Sequence, residues 1–327
     1  MKFSKLFHIL ALAAVTLAAA SSCGGGDEDD FILNPGGGSG TGAGSGGGNS
    51  TTPGVMTYRD YIRRIEVPRL DDENIFIQHS VEYKGDSVMN YCLEYNPAAR
   101  HSRWVAFRFD PITRLSNVGR SSEPFMDDPD IPAKYRVDYR GFGKQYYDLS
   151  NTLKTLPSGQ FDRGHICASA DRYLSREANE QTFYMSNMSP QMSNFNSPYW
   201  SSFEQFVQKK GRDASFADTL YVVKGGTIAQ GQIIGHVERS NGAMVTIPKY
   251  YFMALLKCKN NTYSALAFWM EHKDYGLDDY LKSSEISEKV ITIDELEELT
   301  GIDFFHNLPD NVETAVESMV QKSAWNL

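Results

Sequence analysis

The sequence lacks a hydrophobic run long enough to cross a membrane, and it lacks an excess of positive charge. Its longest apolar run, Ile9 to Ala20, is shorter than the roughly 20 residues that a transmembrane helix needs. The chain has 32 Lys and Arg against 41 Asp and Glu, a formal net charge of −9. It also lacks internal repeats and a second low-complexity linker, so residues 57–327 are expected to form one large domain.

The apolar run has the flanks of an export signal. Lys2 and Lys5 precede it and small residues lead from Ala20 to Cys23, which predicts a signal peptide over residues 1–22. The small-residue site before Cys23 resembles a bacterial lipoprotein box, which would make Cys23 the lipidated first residue. Ala20 stands where such boxes usually have leucine, and a cleaved signal with an incidental cysteine is the alternative.

Residues 23–56 have the composition of a flexible connection. The acidic stretch from Asp27 to Asp30 resembles the export tag of surface lipoproteins in Bacteroidota. From Pro35 to Gly54 nearly every residue is Gly, Ser or Thr, a composition that buries nothing and predicts a tether. We therefore expect an outer-membrane lipoprotein whose folded domain lies on the exterior of the cell.

Cysteine is scarce in the predicted domain, which has only Cys92, Cys167 and Cys258. An exported protein permits disulfides, but three cysteines cannot all pair with one another. All three lie in largely apolar stretches, so one disulfide and buried free thiols both stay open.

The order of predicted strands and helices indicates an α+β domain. Two blocks rich in β-branched and aromatic residues flank a central region of loops and helices. A turn at Lys84–Ser87 predicts a hairpin, and helices are predicted after Ser175 and from Asn196 to Gly211, with Trp200, Phe203 and Phe206 as the buried face. The predicted strands are Ile77–Tyr83, Val88–Tyr95, Trp104–Phe109, Thr219–Val223, Met244–Ile247, Tyr251–Lys257 and Tyr263–Trp269, and the C-terminal helices are Ile293–Thr300 and Asp310–Lys322.

The stretch from Phe161 to His165 combines residues suited to phosphate chemistry. In an extended segment Arg163 and His165 share one face, so both side chains can reach the same volume. Histidine takes a proton near neutral pH, and arginine clamps phosphate with a fork of donors. Gly164 between them would let a ligand approach the backbone. An isolated motif of this kind is more often a turn with a surface ion pair, so it needs support from elsewhere.

A second stretch, from Asn187 to Asn196, supplies that support. The amide oxygens of Asn187, Asn194 and Asn196 can hold a hard cation without adding negative charge. Together the two stretches offer a base, a phosphate clamp and a metal ligand. This combination indicates hydrolysis of a phosphate ester.

The order and spacing of these residues resemble the DNA/RNA non-specific endonuclease family, the ββα-metal nucleases that include the Serratia nuclease and endonuclease G. The matching positions are Asp162-Arg163-Gly164-His165, Asp171, Asn187, Pro190, Gln191, Asn196, Trp200 and Glu204. Later segments, from Tyr221 onwards, also look like the family, so the resemblance covers essentially all of the chain beyond the tether. It implies the ββα-metal nuclease fold, with a central antiparallel sheet flanked by helices.

The resemblance implies a role for each candidate residue. His165 would be the general base that takes a proton from the attacking water. Asn196 would hold Mg²⁺ or Mn²⁺, with waters filling the other positions. Arg163 would clamp the non-bridging oxygens of the phosphate, and Asn187 would orient groups around the base and substrate. Glu204 follows Asn196 by about two helical turns, so it can face the same side and hold a water of the cation.

Two candidates are weaker, and two positions depart from the family pattern. Arg120 is a possible second contact to the substrate, and Asp162 either belongs to the site or makes a structural hydrogen bond to the backbone. Ala168 stands where proline is frequent. Gln208 stands where some members carry arginine, which would weaken the grip on phosphate if that arginine contacts it.

Charge is distributed unevenly along the chain. Residues 100–176 have 13 Lys and Arg against 9 Asp and Glu, a balance of +4, which suffices to attract phosphates. Residues 271–327 have 4 against 14, a balance of −10, and are expected to present a solvated acidic face. A separate acidic cluster, Asp127, Asp128 and Asp130, favours a turn over a cation site.

The sequence therefore predicts a surface-anchored, Mg²⁺-dependent, sugar-non-specific endonuclease that leaves 5′-phosphate ends. One alternative is a non-catalytic surface lipoprotein that binds nucleic acid or glycan on a nuclease scaffold. Another keeps the chemistry but acts on a different phosphodiester. The set of His165, Arg163 and Asn196 argues against a binding module, which has no need of a base.

Overall fold

The computed structural model describes residues 63–122 and 125–327. The predicted signal peptide, Cys23 and the tether lie outside these residues and stay predictions, as does the start of the domain at residue 57. Within the described ranges, no helix combines the length and apolar character needed to cross a membrane.

Strands and helices follow one another in blocks. In chain order the strands are β1 (Ile75–Tyr83), β2 (Asp86–Asn96), β3 (His101–Phe109), β4 (Gln145–Asp148), β5 (Leu153–Thr155), β6 (Phe161–His165), β7 (Met188–Met192), β8 (Thr219–Gly226), β9 (Ile233–Glu238), β10 (Met244–Pro248), β11 (Tyr250–Lys259), β12 (Thr262–Glu271) and β13 (Val290–Ile291). The helices are α1 (Arg176–Gln181), α2 (Ser201–Arg212), α3 (Ser283–Ser287), α4 (Ile293–Thr300) and α5 (Asp310–Glu317). This order confirms the α+β class.

A seven-stranded antiparallel sheet, in the order β1-β2-β3-β8-β11-β12-β13, separates two hydrophobic cores. Side chains alternate between its faces because the strand period is two. Along β11, Tyr251 and Met253 pack in the core that α2 covers, whereas Phe252 and Ala254 pack in the core that α4 and α5 cover. The structure thus confirms a central antiparallel sheet flanked by helices.

A ribbon of β6 and β7, followed by α2, forms a ββα unit against this sheet. The two strands are antiparallel, with Arg163 opposite Pro190 and His165 opposite Met188. A segment from Phe195 to Trp200, interrupted by extended backbone at Ser197 (φ −144°, ψ 129°), leads from the ribbon into α2. The prediction of a continuous helix from Asn196 is therefore wrong, because the helix is broken at Ser197. Trp200, just before α2, and Phe203 and Val207 within it are fully buried. Phe206, which was predicted for the buried face, is only partly covered.

Helix boundaries follow capping chemistry. Ala178 donates from its backbone to Ser175 Oγ at 3.1 Å, which confirms the predicted cap of α1. The hairpin between β1 and β2 turns through Lys84 and Gly85, both with positive φ, as expected for a two-residue turn. The last helix ends at Glu317, short of the predicted Lys322, which begins a separate single turn.

Sequence analysis did not predict β4, β5, β7, β9 or β13. These strands are short, and three of them form a smaller sheet with β10 in the order β10-β9-β4-β5. β7 contains Pro190 and little β-branched character, and a two-stranded ribbon tolerates proline because it has open edges. Cys92, Cys167 and Cys258 are free, so the thiol alternative is the one observed.

Candidate active site

A cleft of about 310 Å³ opens where the end of β6 meets the start of α2. The predicted site residues that line it are Arg120, Arg163, His165, Asn196 and Glu204. Arg163 and His165 reach it together because they are two apart on one strand, as predicted. The structure therefore assembles the residues proposed as base, clamp, metal ligand and carboxylate in one place.

The His165 ring packs between two aromatic rings, with centroids 5.8 Å from Phe125 and 5.0 Å from Phe183. Its Nε2 atom is buried and finds no hydrogen-bond partner among the described residues. Burial, helped by the positive charges of Arg120, Lys224 and Arg163, lowers the pKa of His165 to about 3. The imidazole is therefore neutral at neutral pH, and the expectation of a pKa near working pH is wrong for the substrate-free protein.

Two arginines face the cleft on aromatic supports. The Arg163 guanidinium lies over Phe125 at 3.7 Å and donates through Nη1 to Tyr139 O at 2.6 Å. The Arg120 guanidinium lies over Phe183 at 4.9 Å. Cation–π contacts hold the planes in position, and since a guanidinium has five N–H donors, donors remain for an anion.

Asn196 is oriented by Asp162. Its Nδ2 donates to Asp162 Oδ2 at 3.1 Å, while Asp162 Oδ1 accepts from Ser193 Oγ at 3.0 Å. The amide nitrogen is thus committed to Asp162, and the amide oxygen is left for another ligand. The hydrogen bonds of Asp162 go to side chains, not to the backbone as the structural alternative supposed. Asn194 is directed elsewhere and donates to Asp274 Oδ2 at 2.7 Å.

Glu204 is tied to the end of β6 through one indole. Trp200 Nε1 donates to Glu204 Oε1 at 3.0 Å and also approaches His165 O at 3.3 Å. Burial, with a contribution from the negative charge of Asp171, raises the pKa of Glu204 to about 7, against the opposing effect of Lys224. A cation beside this carboxylate would favour its ionised form.

A buried ion pair lies beneath the cleft and was not predicted. Lys224 Nζ and Asp171 Oδ2 are 2.6 Å apart, and both side chains are fully buried. Gln208, which lines the cleft, donates from Nε2 to Asp171 Oδ1 at 3.1 Å. The sequence signal for this pair was a lysine within an otherwise apolar strand, because such a lysine needs a partner.

Asn187 does not line the cleft. Its fully buried side chain accepts from Cys167 N at 2.8 Å and donates to Cys167 O at 2.8 Å and to Thr182 O at 2.7 Å. These bonds fix the backbone that follows His165. Asn187 is thus a positioning residue, and the expectation that its amide is open to a cation is wrong.

Gly164 is required by packing between the strands. A Cβ atom at this position would lie 2.0 Å from Gln191 Oε1. The close contact is therefore with the side chain of β7, and not with a ligand as the sequence suggested.

The acidic cluster outside the cleft forms a turn. Asp130 N donates to Asp128 Oδ1 at 2.9 Å, and Asp128 Oδ2 bonds to His79 Nε2 at 3.0 Å and accepts from Ser186 Oγ. His79, Asp128 and Asp130 bring potential ligand atoms close together, but Asp128 is already satisfied by its neighbours. The geometry favours the turn that the sequence predicted.

Comparison with known proteins is consistent with this geometry. The DNA/RNA non-specific endonuclease family model matches residues 72–311. Nuclease C1 from Cunninghamella echinulata var. echinulata is 28% identical over 229 residues, spanning 67% of this chain and 81% of that protein. Mitochondrial endonuclease G from Bos taurus is 29% identical over 178 residues, spanning 52% of this chain and 53% of that protein.

Among solved structures, the crystal structure of the EndoG/EndoGI complex, which was determined to explain EndoG inhibition, matches this chain with a TM-score of 0.55. The match spans 79% of this chain and 96% of that chain at 19% identity, so it bears on the fold alone. The family match covers most of the chain and coincides with the sheet, the ββα unit and the cleft. The chain belongs to the DNA/RNA non-specific endonuclease family and is a nuclease, a hydrolase of phosphodiester bonds.

Proposed function

We propose that the protein is a metal-dependent endonuclease that cuts both DNA and RNA, with His165 as the general base. The observation that carries the proposal is the neutral His165 ring, with its unpartnered Nε2, in one cleft with two arginines and the amide of Asn196. A neutral imidazole can accept a proton, and an orphan nitrogen is a group that bound water or substrate would satisfy.

The donor set in the cleft fits a hydrated hard cation. Asn196 would hold it through the amide oxygen that Asp162 leaves free, and the Glu204 carboxylate lines the same cleft. Mg²⁺ and Mn²⁺ suit such a site because both accept oxygen ligands, and Mg²⁺ keeps several waters. The cation would supply stabilisation of the charge that builds on the phosphate and the leaving oxygen.

Binding of a phosphate would also prepare the base. Arg120 and Arg163 lower the pKa of His165 in the substrate-free protein, after the larger effect of burial. A phosphodiester anion clamped by these arginines offsets their charge, so the affinity of His165 Nε2 for a proton rises when substrate arrives. His165 then takes the proton of the attacking water, while the two guanidinium groups hold the non-bridging oxygens.

The proposed substrate range follows from where the contacts fall. The arginines and the cation hold phosphate, which carries no sequence information. The nucleophile is water, so the 2′-hydroxyl of RNA is not needed. DNA and RNA should both be cleaved. A cation held by Asn196 would stabilise charge on a leaving 3′-oxygen, and cleavage at that bond would give 5′-phosphate and 3′-hydroxyl ends.

The experiment is digestion of plasmid DNA and of RNA by the wild type, His165→Ala and a control variant, each with Mg²⁺ and with EDTA. His165→Ala should lose activity on the order of 10²–10⁴-fold with the fold unchanged. His236→Ala, in strand β9 outside the cleft, is the matched control and should retain activity. Near-normal rates for a folded His165→Ala variant remove His165 from the mechanism, and inactive wild type would favour the binding-only scaffold.

We further propose that the enzyme is anchored at the outer surface of the cell through a lipid on Cys23. The lipoprotein box and the acidic stretch that follows support this location. The tether would allow the cleft to meet nucleic acid away from the membrane.

A further inference from the structure

A second group of carboxylates meets at the junction of α4 and α5, outside the catalytic cleft. Asp294 and Glu297 lie one turn apart on α4, and Glu317 is the last residue of α5. One carboxylate oxygen from each lies within 4.8 Å of the others. This cluster belongs to the acidic C-terminal part of the chain, which the sequence predicted to be a solvated face.

The burial of Glu317 distinguishes this cluster from a solvated face. Glu317 is only 6% exposed, and its Oε1 atom is buried without a hydrogen-bond partner in the described part of the chain. No ion pair of the described residues includes any of the three carboxylates, and the neighbouring Arg69 is paired with Asp303 at 2.6 Å. A buried carboxylate without a partner is costly, so the arrangement points to a positively charged ligand.

The electrostatics agree with that geometry. Burial raises the pKa of Glu297 to about 7, and burial together with the charge of Glu297 raises the pKa of Glu317 to about 8. A cation between the carboxylates would reverse both effects.

We propose that Asp294, Glu297 and Glu317 form a calcium site that stabilises the C-terminal part of the domain. Calcium–oxygen bonds of about 2.4 Å let oxygen ligands stand up to roughly 4.8 Å apart across the ion, so three oxygens that lie within 4.8 Å of one another can share it. Magnesium keeps several of its waters and is bound through one or two carboxylates, so a set of three carboxylates suits calcium better. Glu297 Oε1 accepts from Phe304 N at 2.7 Å, which leaves its second oxygen for the ion.

The site would connect two helices to the loop between them. Glu297 already holds the backbone of Phe304, and Phe304 and Phe305 are fully buried in the core beneath α4 and α5. An ion bound to Glu317 and Asp294 would therefore fix both helices over this core. Because the site lies outside the cleft, its role is in stability and is independent of the proposed catalytic chemistry.

The test measures thermal unfolding of the full chain carrying Asn196→Ala, a background that weakens cation binding in the cleft. Metal-free protein is compared with protein in 10 mM CaCl₂ and in 10 mM MgCl₂. Extracellular calcium sites bind with Kd of about 10⁻⁴–10⁻³ M, so CaCl₂ should raise Tm by about 3–10 °C and MgCl₂ by less than half as much. Equilibrium dialysis should find one calcium ion per chain.

Three variants in this background identify the ligands. Glu317→Gln removes the carboxylate that would bind the ion and should lose most of the calcium-induced shift. Asp294→Asn, at an exposed position, should lose the shift even if Glu317→Gln does not fold. Glu298→Gln, an exposed glutamate of the same helix outside the cluster, should keep it. An equal shift in all variants, no shift in any, or an equal shift with MgCl₂ overturns the calcium assignment.

Discussion

The contact between Gly164 and Gln191 makes Gly164→Ala a sharp test of the packing between β6 and β7. An added Cβ would lie 2.0 Å from Oε1, 2.3 Å from Cδ and 2.6 Å from Cγ of Gln191. These distances are far inside van der Waals contact. Gln191 is fully buried, so its side chain cannot swing into solvent to make room.

The expected cost is that of overpacking a closed interior. Inserting a methyl group into such a site lowers the free energy of unfolding by about 1–3 kcal/mol. For a domain of this size, each kcal/mol lost lowers Tm by roughly 2–4 °C. We therefore expect Tm to fall by about 2–12 °C. Because Arg163 and His165 flank Gly164, separation of β6 from β7 would also displace both, and nuclease activity should fall by on the order of 10-fold or more.

The assay combines urea unfolding, thermal unfolding and plasmid digestion. Gly141→Ala is the matched control, because a Cβ there meets no atom within 4 Å. Gln191→Ala in the Gly164→Ala background should recover part of the lost stability, since it removes the opposing atoms. The packing argument is refuted if Gly164→Ala is as stable as Gly141→Ala, or if the double variant is no more stable than Gly164→Ala alone.

Four further predictions concern other parts of the molecule. Nε2 of His272 accepts a hydrogen bond from Met192 N at 2.8 Å. Burial lowers the pKa of His272 to about 4, below the value of about 6.5 in the unfolded chain. The neutral ring therefore stabilises the fold above pH 6.5, and this contribution is lost as pH falls from about 6.5 towards about 4. The cost of His272→Gln in urea unfolding should shrink by about 2 kcal/mol between pH 7 and pH 5, and a pH-independent cost would contradict this. Asp162→Ala releases the Asn196 amide and should raise the Mg²⁺ concentration for half-maximal digestion by about 10–100-fold; an unchanged requirement would separate Asp162 from the cation. Wild-type protein should partition with membranes, and the Cys23→Ser variant should be released or left unprocessed. Equal soluble fractions of the two proteins would contradict the lipoprotein interpretation. Digested DNA should ligate without kinase treatment, whereas cyclic 2′,3′-phosphates on RNA products would exclude water as the nucleophile.

Spacing in the sequence sufficed to predict that Arg163 and His165 meet, whereas the ββα unit followed only from the family resemblance, because β7 has no strand pattern of its own. Arg163 and His165 share a face because of the strand period, so local geometry placed both. Asn196 and Glu204 also line the cleft, but the extended backbone of Ser197 interrupts the helix between them, so helical spacing alone does not account for their approach. The long strands of the main sheet were predicted because continuous β-branched and aromatic runs are typical of buried strands.

Long-range contacts account for what the sequence did not predict. Two of the three backbone bonds of Asn187 depend on the chain returning beside Cys167, and no local pattern encodes that return. The pKa of His165 depends on burial and on Lys224, which lies on a different strand. Gly164 was assigned to ligand approach because the position of Gln191 across the ribbon depends on strand register.

The indole of Trp200 couples two groups of the cleft, the Glu204 carboxylate and the backbone carbonyl of His165. Its single N–H hydrogen is shared between Glu204 Oε1 at 3.0 Å and His165 O at 3.3 Å, so the two acceptors compete for it. An ionised Glu204 attracts that hydrogen more strongly than a protonated one. The cation proposed for the cleft would favour the ionised carboxylate and would therefore loosen the hold on the backbone of His165. Binding of the proposed cation and the mobility of the His165 backbone would thus both depend on which acceptor holds the Trp200 N–H hydrogen.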